Sequence, residues 1–373
     1  MAIMRIADVF PGFYHEFLPD FFQTALPRET SATCTDCAML PSAENQHGNF
    51  IDTYSAISKC CTYFPEIPNF LVGAILAESD PVYEEAKIRI RSSIEKRIAL
   101  TPHGLVRPRK YTLLAKRTTD FFGKSRLLIC PFYFREKGYC TLWPYLTATC
   151  RTWFCKYDRG QEGLEFWHAL RVYWEHVQQT LVRYVLLESG FPLEIILQSS
   201  REPNSLTVEE LDDHPPCPEL YKHLWGEWAG HEEEFFQQTY DCVTNLTVDA
   251  FESLVGISHR VRLNQVIKRY EAMMKDEPPH RLQRNPRLYV QKTEAGTFML
   301  KGYSSRDIVE VSARLYETLD HFDGRRKVEE VIEFLIEQKK LVPEPNLLLS
   351  LYQLRILIPT SENATPSLDR PSV

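Results

Sequence analysis

The sequence predicts a mostly helical α+β fold, and three features of the 373-residue chain lead to this prediction. Several stretches repeat apolar residues every three or four positions, which is typical of helices that bury one face. Two short stretches near residue 290 alternate apolar and polar residues, as the strands of a β-hairpin do. Eight of the ten cysteines lie at or before residue 155, which indicates an irregular, cysteine-rich first domain.

The composition is that of an ordinary soluble globular protein. The chain is 44% hydrophobic and 25% charged, and it is long enough for two or three domains with their own cores. A net charge of −7 argues against broad binding to nucleic acid or anionic lipid, because such binding needs clustered Lys and Arg. No apolar run is long enough for a signal peptide or a membrane span. We therefore expect a cytoplasmic protein with no nucleic-acid partner and no membrane partner.

Stretches rich in proline and turn residues divide the chain into predicted units. SSREPNS (199–205) and DDHPPCPEL (212–220) mark the first boundary, and DEPPHRLQRNP (276–286) marks the second. The predicted units are a cysteine-rich domain over 1–200, a helical segment over 205–275, a compact unit over 280–361 and a disordered tail over 362–373.

The cysteine-rich domain closes with a long predicted helix over residues 162–189. Apolar residues recur in it every three or four positions, which predicts one face packed against the core. These residues are Trp167, Leu170, Trp174, Val177, Leu181 and Val185.

The unit over 280–361 begins with a predicted β-hairpin formed by RLYVQ and GTFMLKG. Ser304 and Asp307 are spaced as a capping box, which predicts a helix whose apolar face starts at Ile308 and Val311. KVEEVIEFLIEQKK predicts a second amphipathic helix, and EPNLLLSLYQLRILIP predicts a third helix that runs into an apolar strand. A hairpin followed by three helices is the plan of a winged helix.

The spacing of the eight early cysteines is the main chemical signal in the chain. Cys34 and Cys37 form a CxxC, which can bring two sulfurs to one metal through a tight turn. Cys60 and Cys61 are adjacent, an arrangement that strains a disulfide but can supply two thiolates from one bend. The other four follow at intervals of ten, ten and five residues: Cys130, Cys140, Cys150 and Cys155.

Cysteines of a cytoplasmic protein stay reduced, so these eight are ligands, redox groups or buried small hydrophobes rather than disulfide halves. Thiolates select zinc, iron–sulfur clusters or copper(I), and four of them satisfy one zinc ion or one cubane cluster. Eight are enough for two sites, and the count does not decide between one site and two. Packing alone rarely assembles a CxxC, a CC and a CxxxxC, which favours ligands. Cys217 and Cys242 stand alone and are interpreted as inert.

Aromatic and basic residues surround the last cysteines. Arg151 and Lys156 either neutralise thiolate charge or lie in solvent. The aromatic residues are either a water-excluding wall around a site or ordinary core. They are Trp143, Tyr145, Trp153 and Phe154.

The stretch CPFYFREKGYCTLWPYLTATCRTWFC (130–155) resembles the signature of the YkgJ-like, CxxCxxCC-type cysteine-cluster family. Cys130 matches the first cysteine of that signature, and Cys140 opens its CxIY element. Cys150-Arg151 with Phe154 matches its RPxxCRxF element. The resemblance covers residues 34–155, and the family is described as zinc- or iron-chelating, with some members that are flagellin lysine N-methylases.

The chain departs from the family pattern at two points. Leu146-Thr147 stands where the family usually has an arginine-proline pair. The compact CxxCxxCC is split, because 22 residues separate Cys37 from Cys60. The resemblance implies zinc or an iron–sulfur cluster held by matched cysteines, and it assigns no catalytic residue. The expected metal ligands are Cys34, Cys37, Cys60, Cys61, Cys130, Cys140, Cys150 and Cys155.

The unit over 280–361 resembles PqqD-like peptide-recognition domains, winged helices of ribosomal-peptide maturation systems. The resemblance lies in the order of predicted elements and in FDGRRKVEEVIEFL (322–335). It implies a peptide or protein partner that adds a strand to a sheet edge. A structural, dimer-forming winged helix is the alternative. DNA binding is not expected, because the third predicted helix carries one Arg and one Glu among leucines.

The sequence therefore predicts a cytoplasmic metal-binding protein with a module that recruits a peptide or protein. In the enzyme form of this prediction, a cluster supports modification of the recruited polypeptide, as in a lysine N-methylase-like enzyme. In the other form, the zinc is structural and the chain is a non-catalytic adaptor. The residues do not decide between these two forms.

Overall fold

The structure is a computed structural model that describes residues 4–26, 37–40, 53–143, 145–197, 214–344 and 346–360. About 52% of it is helical and its sheets are small, which confirms the predicted mostly helical α+β class. The predicted ligand Cys34 and the predicted tail over 362–373 lie outside the described residues. Within the ranges given above, no helix is both long and apolar enough to span a bilayer.

Helices make up most of the chain before residue 274. Short 3-10 helices cover Ile6–Val9, Gly12–Phe17, Asp20–Gln23, Pro81–Tyr83 and Gly226–Trp228. The α-helices are α1 (Asn69–Ala77), α2 (Glu84–Lys96), α3 (Arg109–Arg117), α4 (Ala148–Thr152), α5 (Gly160–Glu188), α6 (Leu193–Ile196), α7 (Pro218–Trp225), α8 (Glu232–Thr244) and α9 (Val248–Met273).

The strands of this region are two residues long. β3 (Gly104–Leu105) is the central strand of an antiparallel sheet with β1 (Ile67–Pro68) and β2 (Leu100–Thr101). β4 (Tyr133–Phe134) and β5 (Tyr139–Cys140) form an antiparallel hairpin. Strands this short bury little surface, so their main effect is to fix the loops between the helices.

Helix α5 is the centre of the main hydrophobic core. The six residues of its predicted apolar face are each at most 2% exposed, which confirms the sequence prediction for this helix. Helix α9 packs along it. The rings of Phe10 and Tyr14 lie 3.8 and 4.5 Å from that of Trp174. Each fully buried large apolar side chain stabilises the fold by about 1.5–3 kcal/mol.

Helix α1 packs closely against α8, and Gly73 makes this approach possible. A Cβ at Gly73 would lie 1.9 Å from the carbonyl oxygen of Phe236. Phe235 and Phe236 of α8 and Trp225 of α7 are fully buried in the same hydrophobic cluster as α5. The helices after residue 214 therefore share one core with the cysteine-rich domain, and the division at the first boundary stays a prediction.

Residues 282–359 contain a second, smaller core. β6 (Leu282–Arg284) pairs with β10 (Leu357–Pro359), and a three-stranded antiparallel sheet has the order β7 (Tyr289–Lys292), β8 (Phe298–Lys301), β9 (Val309–Val311). The helices are α10 (Ala313–Thr318), a 3-10 turn (Leu319–His321), α11 (Val328–Lys339) and α12 (Leu347–Gln353). The predicted hairpin, the second helix and the helix that leads into a strand are confirmed.

The helix predicted to start at Ser304 is wrong. Val309–Val311 forms β9, which pairs with β8, and α10 begins only at Ala313. The side chain of Ser312 caps this helix by accepting from the backbone N–H of Leu315 at 3.2 Å. Val309 and Val311 are β-branched, which favours a strand, and β9 completes the three-stranded sheet by pairing with β8. This tertiary pairing outweighs the helix-capping spacing of Ser304 and Asp307.

The C-terminal unit docks against the start of α5. The guanidinium of Arg355 lies 3.3 Å from the carboxylate of Glu162, and both side chains are largely buried. Gly160 has a φ of +53°, and a Cβ there would lie 2.1 Å from the carbonyl oxygen of Gln353. This close contact brings the C-terminal unit beside the loop that contains the last predicted cysteine.

Candidate metal centre

Backbone hydrogen bonds bring the bend at Cys61 to the stretch that begins at Cys130. The backbone N–H of Cys130 donates to the carbonyl of Cys61 at 2.8 Å. Cys140 lies in β5, opposite Tyr133 of β4, so the hairpin returns the chain toward Cys130. Cys150 lies in the short helix α4. The ten-residue spacing of these cysteines therefore corresponds to a hairpin followed by a helical turn.

Tyr54 connects two cysteines that are distant in sequence. Its backbone N–H donates to the carbonyl of Met39, in the turn that begins at Cys37, at 2.8 Å. Its hydroxyl lies 3.8 Å from the Cys155 sulfur, within hydrogen-bond distance for a thiol. The Tyr54 ring is buried, and a Cβ at Gly123 would lie 2.2 Å from it. The turn at Cys37 and the Cys155 thiol are therefore held against the same buried tyrosine.

Burial and neighbouring thiols raise the pKa values of Cys37, Cys60 and Cys155. Burial is the main cause at Cys155, whose pKa rises to about 12, and negative charges on Cys60 and Cys37 contribute. Burial likewise raises the pKa of Cys37, with Cys60 as the neighbouring thiol. The main cause at Cys60 is its side-chain hydrogen bond with Cys61, followed by burial. We call Cys37, Cys60 and Cys155 the first thiol set.

Cys130, Cys140 and Cys150 interact in the same way. Burial raises the pKa of the Cys130 thiol well above its usual value, and negative charges on Cys140 and Cys150 raise it further. Tyr63 lies close to Cys150. Burial raises the pKa of the Tyr63 phenol, and a negative charge on Cys150 raises it further. We call these three cysteines together with Cys61 the second thiol set, since Cys61 is hydrogen-bonded to Cys130 through the backbone.

Two cations lie beside the first thiol set. The ammonium of Lys59 donates to the carbonyl of Gly138 at 3.2 Å. Arg306, from the C-terminal unit, lies over the rings of Phe122 and Trp153 at 5.5 and 5.7 Å. Their positive charges lower the thiol pKa values and so oppose the effect of burial.

The second thiol set has different cations. The guanidinium of Arg89 donates to the carbonyls of Pro131 and Tyr133, and its charge lowers the pKa of Cys130. Arg107 donates to the hydroxyl of Tyr63 at 3.4 Å. The thiolate form of Cys130 is therefore favoured by a side chain from α2, while Arg107 acts on the phenol of Tyr63.

Arg151 is a largely buried cation next to Cys150. Burial lowers its pKa to about 10. Its Nε donates to the carbonyl of Val9, and its guanidinium lies 3.8 Å from the ring centroid of Trp143. Its Nη1 has no hydrogen-bond partner among the described residues. A buried cation is costly when no anion lies close to it, and the face of the Trp143 ring offsets part of that cost.

The aromatic residues among the last cysteines have different environments. Tyr145 and Phe154 pack in the main hydrophobic core. Trp153 meets Phe122 edge-on, with ring centroids 5.0 Å apart. Trp143 is 58% exposed, and its ring packs against the guanidinium of Arg151. Ordinary core is therefore the better description of Tyr145 and Phe154, while Trp153 lies beside the first thiol set.

The thiols do not form a closed ligand cage. Among the residues that the structure describes, no group of three or more His, Cys, Asp or Glu side chains is arranged so that it could hold a metal ion. The donor chemistry fits a soft metal, because thiols are gathered here with cations around them. A bound zinc ion requires four ligands at once, with sulfurs about 2.3 Å from it, and the described thiols do not meet that requirement.

Cys217 and Cys242 lie elsewhere. Cys217 is exposed at the start of α7. Cys242 lies in α8, where burial raises the pKa of its thiol and Tyr184 forms a hydrogen bond with it. Their interpretation as inert cysteines stays a prediction.

No sequence pattern indicates that Tyr54, Arg89 or Arg306 belongs to the candidate site. Each of them is separated from the cysteine it approaches by tens of residues or more. A single tyrosine or arginine has no spacing pattern that marks it as part of a site. Among the cations, only Arg151 could be connected with the cysteines from the sequence, because it directly follows Cys150.

Comparison with known proteins gave no match. A scan against protein-family models, a search of curated proteins and a search of solved structures each found nothing that matches this chain. The two family resemblances are therefore expectations from sequence motifs, and the candidate site depends on the residues and contacts described above.

Proposed function

We propose that the chain is a cytoplasmic metal-binding protein whose C-terminal unit recruits a peptide or protein. The metal is zinc or an iron–sulfur cluster, held by the eight cysteines that the sequence singles out. One observation supports this proposal: thiols that are distant in sequence lie close enough to affect one another's pKa values. They do so within each of two sets, and half-buried cations lie beside each set. Packing alone gives no reason for cations to accompany buried thiols.

The chemistry of these residues agrees with a soft metal. Metal ligation removes the thiol protons, and the raised pKa values mean that the metal must compete with those protons. Lys59, Arg89 and Arg306 reduce the net negative charge of a metal centre with four thiolates. Soft thiolate ligands exclude magnesium and calcium, which require oxygen ligands.

Two forms of the proposal differ in what the metal does. In the enzyme form, an iron–sulfur cluster supports modification of the recruited polypeptide, with lysine N-methylation as the example that the family resemblance implies. In the adaptor form, the zinc is structural, as in zinc domains that unfold without their metal. The nature of the bound metal decides between the two.

Metal analysis of the full-length protein, purified without oxygen, tests the proposal. We expect either bound iron with a brown colour and absorbance near about 400 nm, or colourless protein with bound zinc. The double variant Cys150→Ser/Cys155→Ser is expected to lose most of its metal, because it removes one thiol from each set.

The matched control is Cys217→Ser/Cys242→Ser, which also replaces two thiols and should keep the full metal content. Circular dichroism establishes that both variants fold. Wild-type protein without zinc or iron contradicts the proposal. Full metal content in the Cys150/Cys155 variant contradicts the assignment of the ligands.

The recruiting role is supported by the edge of the C-terminal sheet. β7 lies at one edge of the described sheet, beside β8 alone, and Tyr289 at its start is 53% exposed. An edge strand presents unpaired backbone groups that an extended peptide can pair with. The winged-helix-like description of this unit and its peptide partner remain part of the proposal.

Selection of a displayed random-peptide library on the full-length chain tests this role. Peptides that pair with β7 are expected to bind Tyr289→Asp about tenfold more weakly, because the substitution removes the aromatic contact and adds a charge at the edge. Val342→Asp, at a residue that is 80% exposed in the same unit, is the control and should bind like the wild type. Peptides that bind both variants equally would argue against this edge.

A further inference from the structure

We propose that helix α3 and the loop after it form a docking surface for an acidic segment of a partner polypeptide. The surface consists of the exposed and partly exposed side chains of residues 109–127, and we call it the basic surface. It is distinct from the edge strand β7, to which the proposed function assigns peptide binding, and its role requires no bound metal.

The charge of this segment is opposite to that of the whole chain. Residues 109–127 contain six Lys or Arg and one acidic residue, Asp120, whereas the chain has a net charge of −7. Asp120 already pairs with Lys124, whose ammonium nitrogen lies 2.6 Å from a carboxylate oxygen. A net charge is an average over the surface, so it does not exclude a local positive region. The cations gathered here attract an anionic partner.

Helix α3 presents cations on its outer face. Thr112 and Ala115 are buried and form the inner face. At 3.6 residues per turn, the side opposite Ala115 carries Lys110, Leu113 and Arg117. Arg117 is exposed, and the other two side chains are partly exposed. The outer face therefore combines positive charge with an apolar side chain.

Stabilisation of α3 accounts for only part of this charge. Lys116 and Arg117 lie in the last turn of the helix, where cations interact favourably with the helix dipole. That effect falls off within the last turn, and Lys124 and Arg126 lie in the loop beyond it. All four side chains are exposed. The cluster of cations therefore extends beyond what the helix requires.

The loop after α3 adds a protruding apolar side chain. Leu127 is 85% exposed, more than any other large apolar side chain that the structure describes. It directly follows the exposed Arg126 in the chain. An exposed leucine beside cations suits a partner that carries both negative charge and apolar side chains.

Thr62 holds the helix and the loop side by side. Its carbonyl accepts from the hydroxyl of Tyr111 in α3, and its hydroxyl accepts from the backbone N–H of Gly123 in the loop at 2.7 Å. Thr62 is fully buried, so both contacts are shielded from water. It also directly follows Cys61 in the chain. The basic surface is therefore a fixed arrangement next to the candidate metal centre, and little ordering is needed for binding.

An acidic polypeptide segment fits this surface better than a membrane or a nucleic acid does. Helix α3 has nine residues and is about 14 Å long, which matches a short peptide. Residues 109–127 have a net charge of +5, so the rest of the chain is more negative than the whole. An extended polyanion or an anionic bilayer would meet repulsion beyond the basic surface. Single-stranded nucleic acids stack on aromatic side chains, whereas the most exposed apolar side chain here is a leucine.

Fluorescence anisotropy with the full-length chain tests this inference. The probe is a fluorescein-labelled peptide of three Glu-Leu-Glu-Glu-Leu repeats. We expect Arg117→Glu/Arg126→Glu to bind it about tenfold more weakly, because attraction is replaced by repulsion. Arg260→Glu/Lys268→Glu is the matched control, since it changes two exposed cations of α9 and gives the same net charge. This control should bind like the wild type.

A second pair of variants tests the apolar part of the surface. Leu127→Ser is expected to bind the peptide about threefold more weakly. Leu193→Ser, at a residue of α6 that is 66% exposed, is the matched control and should bind like the wild type. Tyr289→Asp should also bind like the wild type, because its edge strand is a separate surface. Circular dichroism establishes that every variant folds.

Three outcomes would overturn the inference. The first is no binding of the acidic peptide, and the second is equal binding by the two charge-reversed variants. The third is tighter binding of phosphatidylserine-containing vesicles, or of a single-stranded RNA of about 20 nucleotides, with the same loss in Arg117→Glu/Arg126→Glu. That result would assign the basic surface to a membrane or to nucleic acid. None of these outcomes alters the metal content or the binding of peptides selected for β7, which test the proposed function.

Discussion

Replacing Trp174 by alanine is expected to lower the free energy of unfolding by about 3–5 kcal/mol. The side chain is 1% exposed at the centre of α5. It stacks on Phe10 at 3.8 Å and meets Tyr14 edge-on at 4.5 Å, so its removal leaves a cavity lined by rings. Phe10 directly follows the first 3-10 helix and Tyr14 lies in the second, so we expect the packing of this N-terminal segment to loosen as well.

Urea unfolding of the wild type and the variant, followed by circular dichroism, measures this effect. The control is Leu187→Ala on the same helix, where the side chain is 58% exposed and the expected change is within about 0.5 kcal/mol. Metal content must be the same in all samples, because a bound metal stabilises the folded state. Equal losses in the two variants would contradict the assignment of this face to the core.

The apolar face of α5 was predictable because its signal is local and repeated. Six residues at helical spacing all have to be buried, and no other secondary structure buries this set together. Helix α11 was predictable for the same reason. The short strands before residue 141 were not, since two residues carry too little pattern to distinguish a strand from a loop.

The segment after Ser304 marks the limit of local signals. Its capping-box spacing predicted a helix, yet Val309–Val311 pairs with β8. Ser312 caps the observed helix by accepting from the backbone N–H of Leu315, and Ser304 offered the same kind of cap in the sequence. The pairing of β9 with β8 determines that the helix begins after Ser312 and not after Ser304. A sequence pattern describes what a segment prefers in isolation, while the partner strand is supplied by residues that come earlier in the chain.

The sequence predicted which cysteines belong to the candidate site, but it did not predict how they are arranged in space. Joint spacing singled out the cysteines, because few structural needs produce a CxxC and a CC in one domain. Their division into two sets depends on contacts such as that between Tyr54 and Cys155. The arginines that accompany them come from α2 and from the C-terminal unit, and no sequence pattern relates those segments to the cysteines.

Replacing Arg355 by methionine is expected to lower the free energy of unfolding by about 3–5 kcal/mol at pH 7. The guanidinium lies 3.3 Å from the carboxylate of Glu162, and the two side chains are 13% and 9% exposed. Without the arginine, a buried carboxylate would lose the charge that compensates it. The pair joins the start of α5 to the end of α12, so its loss also weakens the docking of the C-terminal unit.

The pH dependence of this variant follows from the pKa of Glu162. Burial raises that pKa, and the charge of Arg355 partly opposes the rise. A carboxyl group with a raised pKa in the folded state contributes stability at low pH and loses it as the pH rises through the folded pKa. Removal of Arg355 raises the pKa further, so the deficit of the variant is expected to be small near pH 4 and larger at pH 7.

Chemical unfolding at both pH values measures the deficit, and the double variant Glu162→Leu/Arg355→Met provides the control. Two apolar side chains of similar volume leave no unpaired charge, so the double variant should recover most of the stability lost by the single one. A double variant as unstable as Arg355→Met at pH 7 would contradict an electrostatic cause and would indicate lost packing instead. A deficit that is the same at both pH values would exclude ionisation of Glu162 as its source.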